Sequence, residues 1–225
     1  MKKIGIIAAM ESELQKILEA MGSSEKKTAG KHDFYVAERE GKQLIASLSG
    51  IGKVNASVCA QLMISVFSVD VVINTGVAGG LLGALKVFDV VVATDVCHHD
   101  LDNGFIERRF PFCSKVESDE TLRRLAVRSC EELGVPCRQG RIISGEIFVS
   151  DSLLKEKLIS DFAPIAVDME SAAIGQVCFL NSVPFASIRS ISDSADDEGE
   201  MSFDQFEKEA AVISAKVVMR IVEKI

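Results

Sequence analysis

Residues Val69–Gly80 read VDVVINTGVAGG, a β-branched run followed at once by a glycine-rich stretch. A short apolar run of this kind is typical of a buried strand, and clustered glycines favour a turn. Comparable runs recur along the chain, with amphipathic stretches of helical spacing between them. The other runs are Ile4–Ala9, Leu44–Leu48, Val87–Thr94, Gly140–Ser144, Ile165–Val167 and Phe185–Ile191. This alternation predicts βα units around a central, buried sheet.

One connection indicates that the sheet is mixed. The residues Arg39-Glu40-Gly41-Lys42 lie between two β-prone runs and predict a hairpin, and therefore a pair of antiparallel strands. The 225 residues contain no linker, no internal repeat and no abrupt change of composition. We therefore predict a single α/β domain over residues 1–225. The segment His98–Glu117 has no clear periodicity and predicts a long loop.

Composition narrows the class of partner and the location. The chain has 25 basic and 33 acidic residues and a formal charge of -8, which argues against a nucleic-acid backbone as the main ligand and favours a small molecule. Glu11 and Glu13 interrupt the first apolar run before it reaches signal-peptide length, and no later run suggests a membrane span. We predict a cytoplasmic protein without a membrane partner. Its six cysteines form no C-x-x-C pair and predict reduced, buried thiols.

Polar residues follow several of the predicted strands, at the edge of the sheet where α/β proteins bind ligands. These segments are Met10–Glu13, Gly145–Phe148, Asp168–Ser171 and Ser192–Asp196. The glycine-rich segment Asn74–Gly80 matches neither the dinucleotide fingerprint nor the phosphate-binding loop. Two interpretations of it stay open: a tight strand-to-helix turn, or close approach of its backbone to an uncharged ligand.

Three carboxylates in these segments allow both a structural and a chemical interpretation. Glu13 is either a solvated helix residue or a site residue, and Glu170 is either helix-start chemistry or a ligand contact. Asp193 follows a very apolar strand and is either a turn cap or an acid. Arg189 lies inside that strand, so its charge must find a carboxylate or a ligand. The adjacent pair His98-His99 lacks a spaced third ligand, and we predict neither a metal nor a cofactor.

At the same segments the chain resembles the 5′-methylthioadenosine/S-adenosylhomocysteine nucleosidases of the purine nucleoside phosphorylase superfamily. The resemblance runs almost end to end, in several ordered motifs. These are Gly5–Glu13, Ser49–Val54, Asn74–Gly80, Ser144–Phe148, Val167–Glu170, Arg189–Asp193 and Met201–Asp204. It implies a three-layer α/β/α fold with a central mixed sheet, nucleoside phosphorylase-like, and a homodimer. It also implies hydrolysis of the N-glycosidic bond of methylthioadenosine and S-adenosylhomocysteine, which releases adenine.

The resemblance also implies roles for individual residues. Glu13 matches the carboxylate that deprotonates the attacking water, Glu170 the one that binds the ribose 2′-hydroxyl, and Asp193 the acid at purine N7. The other residues expected at the substrate are Phe148 stacked on adenine, Val149 through its backbone, Met169 at the ribose, Ser192 beside Asp193, Arg189 near the water, Ala78 and Gly79 in the glycine-rich segment, and Ile51 at the thioether end. The loop His98–Phe112 is expected to reach across from the dimer partner.

The chain departs from the family pattern at Val77, where some members have Ser, and at Asp168, where Glu is frequent. Two other functions compete with hydrolysis of the nucleoside. A purine nucleoside phosphorylase would need cations for phosphate, whereas the first strand is followed by Glu11 and Glu13. A non-catalytic nucleoside-binding protein would need the pocket but not the acid Asp193. Among hydrolase substrates, 5′-deoxyadenosine and aminodeoxyfutalosine also stay open, because all of these nucleosides share adenine and ribose.

Overall fold

The computed structural model describes residues 2–225, which form one large sheet flanked by helices. The strands are β1 Lys3–Ala8, β2 Glu25–Ala29, β3 His32–Arg39, β4 Lys42–Leu48, β5 Val71–Gly80, β6 Val90–His98, β7 Lys115–Glu117, β8 Cys137–Ser144, β9 Ala166–Asp168 and β10 Phe185–Asp193. The helices are α1 Glu11–Met21, α2 Lys53–Phe67, α3 Asn103–Glu107, α4 Glu120–Leu133, α5 Ser152–Phe162, α6 Ser171–Leu180 and α7 Gly199–Lys224.

Five of the strands close into a ring. Their order is β10-β6-β8-β9-β5, and β5 also pairs with β10, which closes the circle. The remaining strands β1, β4, β3 and β2 extend from β5 as an open wing. Parallel and antiparallel pairs both occur, so the predicted mixed sheet is confirmed.

Helices cover both faces of this sheet. Side chains of α1, α4 and α7 pack with Ile4, Ile6 and Ala8 of β1 on one face. Those of α2 and α6 pack with Ile7, whose side chain points the opposite way, on the other face. The outcome is three layers, as expected from the resemblance.

The predicted hairpin at Arg39–Lys42 is present. Strands β3 and β4 are antiparallel, with Arg39 opposite Lys42 across a two-residue turn. This pair belongs to the open wing, so the antiparallel feature seen in the sequence lies away from the closed ring.

The glycine-rich segment is not the strand-to-helix turn that we considered. Strand β5 continues through it to Gly80, and its second half pairs with β10 from Thr75 opposite Ile188 to Gly79 opposite Asp193. All of β5 is buried, and glycines there leave space for side chains from other segments. The segment His98–Glu117 also differs from the predicted plain loop, because it contains α3 and β7.

Candidate active site

A cavity of about 250 Å³ opens at the carboxyl ends of β1, β5, β9 and β10. Every residue predicted from the sequence to meet the substrate lines it: Glu13, Ile51, Ala78, Gly79, Phe148, Val149, Met169, Glu170, Arg189, Ser192 and Asp193. These residues come from several separate segments, and the ring of strands brings them to one place. Their individual roles stay predictions.

Glu13 lies in the first turn of α1, and its carboxylate folds back onto the chain. Oε2 accepts hydrogen bonds from the N–H groups of Ala9 (2.8 Å) and Met10 (3.0 Å). Oε1 accepts one from the N–H of Val77 on β5, at 3.0 Å. Burial raises the pKa of Glu13 above its usual value, while Arg189 and the three N–H groups oppose that rise. The carboxylate is thus held in one orientation at the cavity wall.

Gly76 explains how Glu13 can approach β5. A Cβ atom at this position would lie 2.3 Å from Glu13 Oε1 and 2.4 Å from Arg189 Nη1, which no side chain permits. Its φ of +147° is also a conformation that favours glycine. Gly76, which resembled a turn signal, therefore lies within the strand and leaves space there for two charged side chains.

Arg189 is almost fully buried on β10 and finds the carboxylates that its position requires. Nε lies 2.9 Å from Asp168 Oδ2, and Nη2 lies 3.2 Å from Glu170 Oε2. Asp168 also accepts hydrogen bonds from the hydroxyls of Ser144 and Ser171. The guanidinium charge is therefore largely neutralised by carboxylates of the protein itself.

Glu170 is the residue just before α6, and it is buried at the same network. Besides Arg189 it contacts the turn before α2, where the Gly52 N–H donates to Oε1 at 3.0 Å. Burial raises the pKa of Glu170 to about 7, against the lowering effect of Arg189. Sequence reasoning missed Gly52, because a backbone donor leaves no signal in residue type.

Asp193 ends β10 on the other side of the cavity. The Ser192 hydroxyl donates to Oδ2 and the Ala195 N–H donates to Oδ1, both at 2.8 Å. Burial raises the pKa of Asp193, the two donors oppose the rise, and the nearby Asp196 adds to it. No basic side chain contacts Asp193 within residues 2–225.

The walls between these groups are apolar. The rings of Phe148 and Phe203 meet edge to face, with centroids 5.4 Å apart. Met169, Val149 and Ile51 complete the lining, and Ile51 is exposed at the mouth. Phe203 lies in the motif Met201–Asp204 that carries part of the resemblance, but no role was expected for it, so its place in the cavity was not predicted.

The adjacent histidines do not form a metal site. The Nε2 atom of His98 lies 2.9 Å from Gln176 Oε1, and the ring of His99 packs against Gly145. Over residues 2–225 no cluster of His, Cys, Asp or Glu could hold a metal ion. No helix in this part of the chain is long and apolar enough to cross a membrane.

Such a cavity suits polarisation of a bound molecule between two carboxylates. Glu13 faces it from α1 and Asp193 from the end of β10, and Glu170 lies with Arg189 beside them. The pKa values of Glu13 and Asp193 are both raised, as general acids and bases require at neutral pH.

A sequence model described as the phosphorylase superfamily matches residues 3–223. The chain belongs to the phosphorylase superfamily. A relative from Halalkalibacterium halodurans, named 5′-methylthioadenosine/S-adenosylhomocysteine nucleosidase, is 37% identical to this superfamily member over 100% of both chains. A Helicobacter pylori relative named aminodeoxyfutalosine nucleosidase is 36% identical over 100% of both chains.

Solved structures of this superfamily agree with the fold. That of the Neisseria meningitidis 5′-methylthioadenosine/S-adenosylhomocysteine nucleosidase in complex with methylthio-immucillin-A is 40% identical, with a TM-score of 0.94 and full coverage of both chains. The resemblance predicted from the sequence and the predicted nucleoside phosphorylase-like fold are both confirmed.

Proposed function

We propose that the protein hydrolyses the N-glycosidic bond of adenine nucleosides that carry a 5′-thioether, methylthioadenosine and S-adenosylhomocysteine, and releases adenine. The observation that carries this is the pairing of Glu13 and Asp193 in one cavity, with the Arg189 cation already bound to Asp168 and Glu170. Relatives across the full length of the chain are named nucleosidases, which supports the same reaction.

The reaction builds positive charge on the ribose and negative charge on the leaving purine. A protonated Asp193 gives its proton to purine N7, so the base leaves neutral. Glu13, as a carboxylate, takes a proton from the water that attacks the anomeric carbon. The C–N bond breaks and a C–O bond forms to the hydroxyl of the attacking water. Asp193 then regains a proton from solvent and Glu13 releases the proton of water to solvent, which restores both groups.

Glu170 binds the ribose 2′-hydroxyl in this scheme. A carboxylate there stabilises the positive sugar as the bond breaks, which lowers the barrier more than it strengthens substrate binding. Its contacts with Gly52 N–H and Arg189 hold it in place before the substrate arrives.

Water is a better nucleophile than phosphate in this cavity. Phosphate would require a free cation, but Arg189 is paired twice and Glu13 would repel the anion. Val77 offers the water no hydrogen bond, because its side chain is apolar and its N–H already donates to Glu13. The purine nucleoside phosphorylase therefore ranks second as a function.

The proposed assembly is a homodimer. The segment Leu101–Phe112 leaves Phe105, Phe110 and Phe112 exposed, at 48%, 77% and 67%, and Ile51 is exposed at the cavity mouth. A second copy would cover this patch and complete the site. Light scattering should then report about 49 kDa, twice the 24.3 kDa chain, whereas a fully active monomer would contradict the dimer. The single domain and the cytoplasmic location stay predictions.

The test is release of adenine from methylthioadenosine, S-adenosylhomocysteine, 5′-deoxyadenosine and aminodeoxyfutalosine, each with and without phosphate. We expect phosphate-independent release of adenine and a free 5′-substituted ribose. Formation of a ribose 1-phosphate would identify a phosphorylase. Tight binding without turnover would identify a nucleoside-binding protein.

A further inference from the structure

A second charged group lies at the rim of the cavity, outside the arrangement described above. It consists of Lys53 at the start of α2, Asp100 after β6 and Glu146 after β8, and we call it the rim cluster. Lys53 Nζ lies 2.6 Å from Asp100 Oδ1. Asp100 Oδ2 accepts the Glu146 N–H at 3.1 Å, and Glu146 Oε1 accepts the Lys53 N–H at 3.0 Å. Three segments distant in sequence are thus joined in a closed circuit of contacts.

Two of these segments carry walls of the cavity. Ile51 lies two residues before Lys53, and Ile147 and Phe148 follow Glu146 directly. The circuit therefore fixes the separation between the Ile51 wall and the Phe148 wall. Burial alone would raise the pKa of Asp100, but the Lys53 ammonium and the Glu146 N–H outweigh burial and hold that pKa below its usual value. Asp100 is therefore ionised at neutral pH.

The turn before α2 connects the rim cluster to Glu170. Two consecutive N–H groups of this turn are each bonded to a carboxylate: that of Gly52 to Glu170 Oε1, and that of Lys53 to Glu146 Oε1, both at 3.0 Å. A Cβ atom at Gly52 would lie 2.7 Å from Glu146 Oε2, and the φ of Gly52 is +96°. The Glu146 carboxylate therefore lies tightly against the backbone of this turn.

We propose that Glu146 is a positioning residue for the hydrolysis: it fixes the Gly52–Lys53 turn, so that the Gly52 N–H holds the Glu170 carboxyl in place at the ribose. This inference rests on the proposed function. The charged and titratable groups around Glu146 are Lys53, Asp100 and His99, whose ring packs against Gly145.

The charged groups around Glu170 are Arg189, Asp168 and Glu13. None of them belongs to the rim cluster, and none changes in a Glu146 variant. Loss of the Glu146 charge would by itself lower the pKa of Glu170, because a like charge is removed, so a shift to higher pH in such a variant would be transmitted through the turn before α2.

Loss of the Glu146 side chain should change the chemistry of Glu170 in a defined direction. Without its carboxylate partner the Lys53 N–H turns to water and the turn loosens. The Gly52 N–H, which stabilises the ionised form of Glu170, is then less well aligned, so the pKa of Glu170 rises. Since Glu170 must be ionised to act, the acidic limb of the kcat/KM profile moves to higher pH.

The experiment compares adenine release by the wild type, Glu146→Ala, Glu146→Gln and the control Glu156→Ala across pH. Glu156 is exposed on α5, outside the cavity lining. We expect Glu146→Ala to lower kcat/KM by about 10- to 100-fold, as for a small misplacement of a reacting group. Its acidic limb should move to higher pH. Glu146→Gln keeps an acceptor oxygen for the Lys53 N–H and should restore most of the rate and the limb.

Several outcomes would overturn the inference. Glu146→Ala that matches Glu156→Ala would show that the rim cluster does not position Glu170. A lower rate with an unshifted limb, or no rescue by Gln, would show only a structural role. Should Glu146→Ala fail to fold, Glu146→Asp keeps the charge but is too short for the same contact, so it must give the same direction of shift. Absence of adenine release by the wild type would instead reject the proposed function, and this inference with it.

Discussion

The two ends of the cavity hold carboxylates in different ways. At one end Glu13 is bonded to three backbone N–H groups and faces Arg189. At the other end Asp193 has only the Ser192 hydroxyl and the Ala195 N–H as donors, and its charged neighbours are the negative Asp196 and, with a smaller effect, Lys155. Burial raises the pKa of both groups. At Glu13 the cation Arg189 is the main influence that opposes the rise, whereas at Asp193 the cation Lys155 has only a minor effect.

This difference assigns the protonation states. Donors and a nearby cation favour the ionised form, so the Glu13 end suits a base. Like charge and fewer donors favour the neutral form, so the Asp193 end suits an acid. A pair of carboxyls can thus divide the work because their surroundings differ, although both are buried. The following variants test this contrast.

The largest effect is expected for Asp193→Asn. The amide still hydrogen-bonds purine N7 but cannot give up a proton, so kcat should fall by about 100- to 10,000-fold. Binding of a nucleoside analogue, measured by calorimetry, should be retained. Asp161→Asn, a change on the exposed end of α5, is the matched control and should behave as the wild type. Near-normal turnover in Asp193→Asn would show that Asp193 is not the acid.

Glu13→Gln tests the other end. The amide cannot take a proton from water, and its NH₂ group faces N–H donors where Glu13 has an acceptor oxygen. We expect kcat to fall by about 100-fold or more, with a loss of thermal stability from the unpaired donors. A variant that keeps both its rate and its melting temperature would contradict a base at this position.

Gly76→Ala disturbs the Glu13 end without removing a functional group. The new methyl would overlap Glu13 Oε1 and Arg189 Nη1, and the backbone conformation would be strained by about 1–3 kcal/mol. We expect lower stability in urea unfolding and a clear loss of kcat. Gly83→Ala has no atom within 4 Å of the added methyl and should change neither quantity. If the two variants had equal stability and equal kcat, the space at Gly76 would not be needed for Glu13 and Arg189.

Asp196→Asn should have the smallest effect, and it tests the sign of the contrast. Removal of the negative neighbour, which also frees Lys155 from its pair at 3.3 Å, favours ionised Asp193 and lowers its pKa. The alkaline limb of the pH profile, where the acid loses its proton, should therefore move to lower pH. A limb that stays in place or moves to higher pH would mean that Asp193 does not control it.

The sequence predicted the fold well where patterns are local. Apolar runs located most strands, and Arg39–Lys42 located the hairpin. It did not predict that β5 continues through Asn74–Gly80, because glycine signals a turn unless a long-range contact needs the space. The closed ring was also outside its reach, since the pairing of β5 with β10 depends on contacts between distant residues.

The candidate site was predictable in its residues but not in its connections. The strand-end carboxylates and Arg189 all line the cavity, because parallel strands place their carboxyl ends together. Only the structure shows that Arg189 pairs with both Asp168 and Glu170. The same holds for the backbone donors at Gly52 and Val77. Charge alone indicates that a partner is needed, but not which one.

The closed ring of strands has a consequence for how the chain acquires activity during synthesis. The ring closes only when β10 enters between β5 and β6, and β10 is the last strand to leave the ribosome. Until then β5 and β6 present open, apolar edges, which are prone to pair with other chains. Arg189 and Asp193 arrive with that same strand, so we expect no shorter nascent chain to be active. Because contacts this distant in sequence form slowly, protection of these edges should set the yield of active protein.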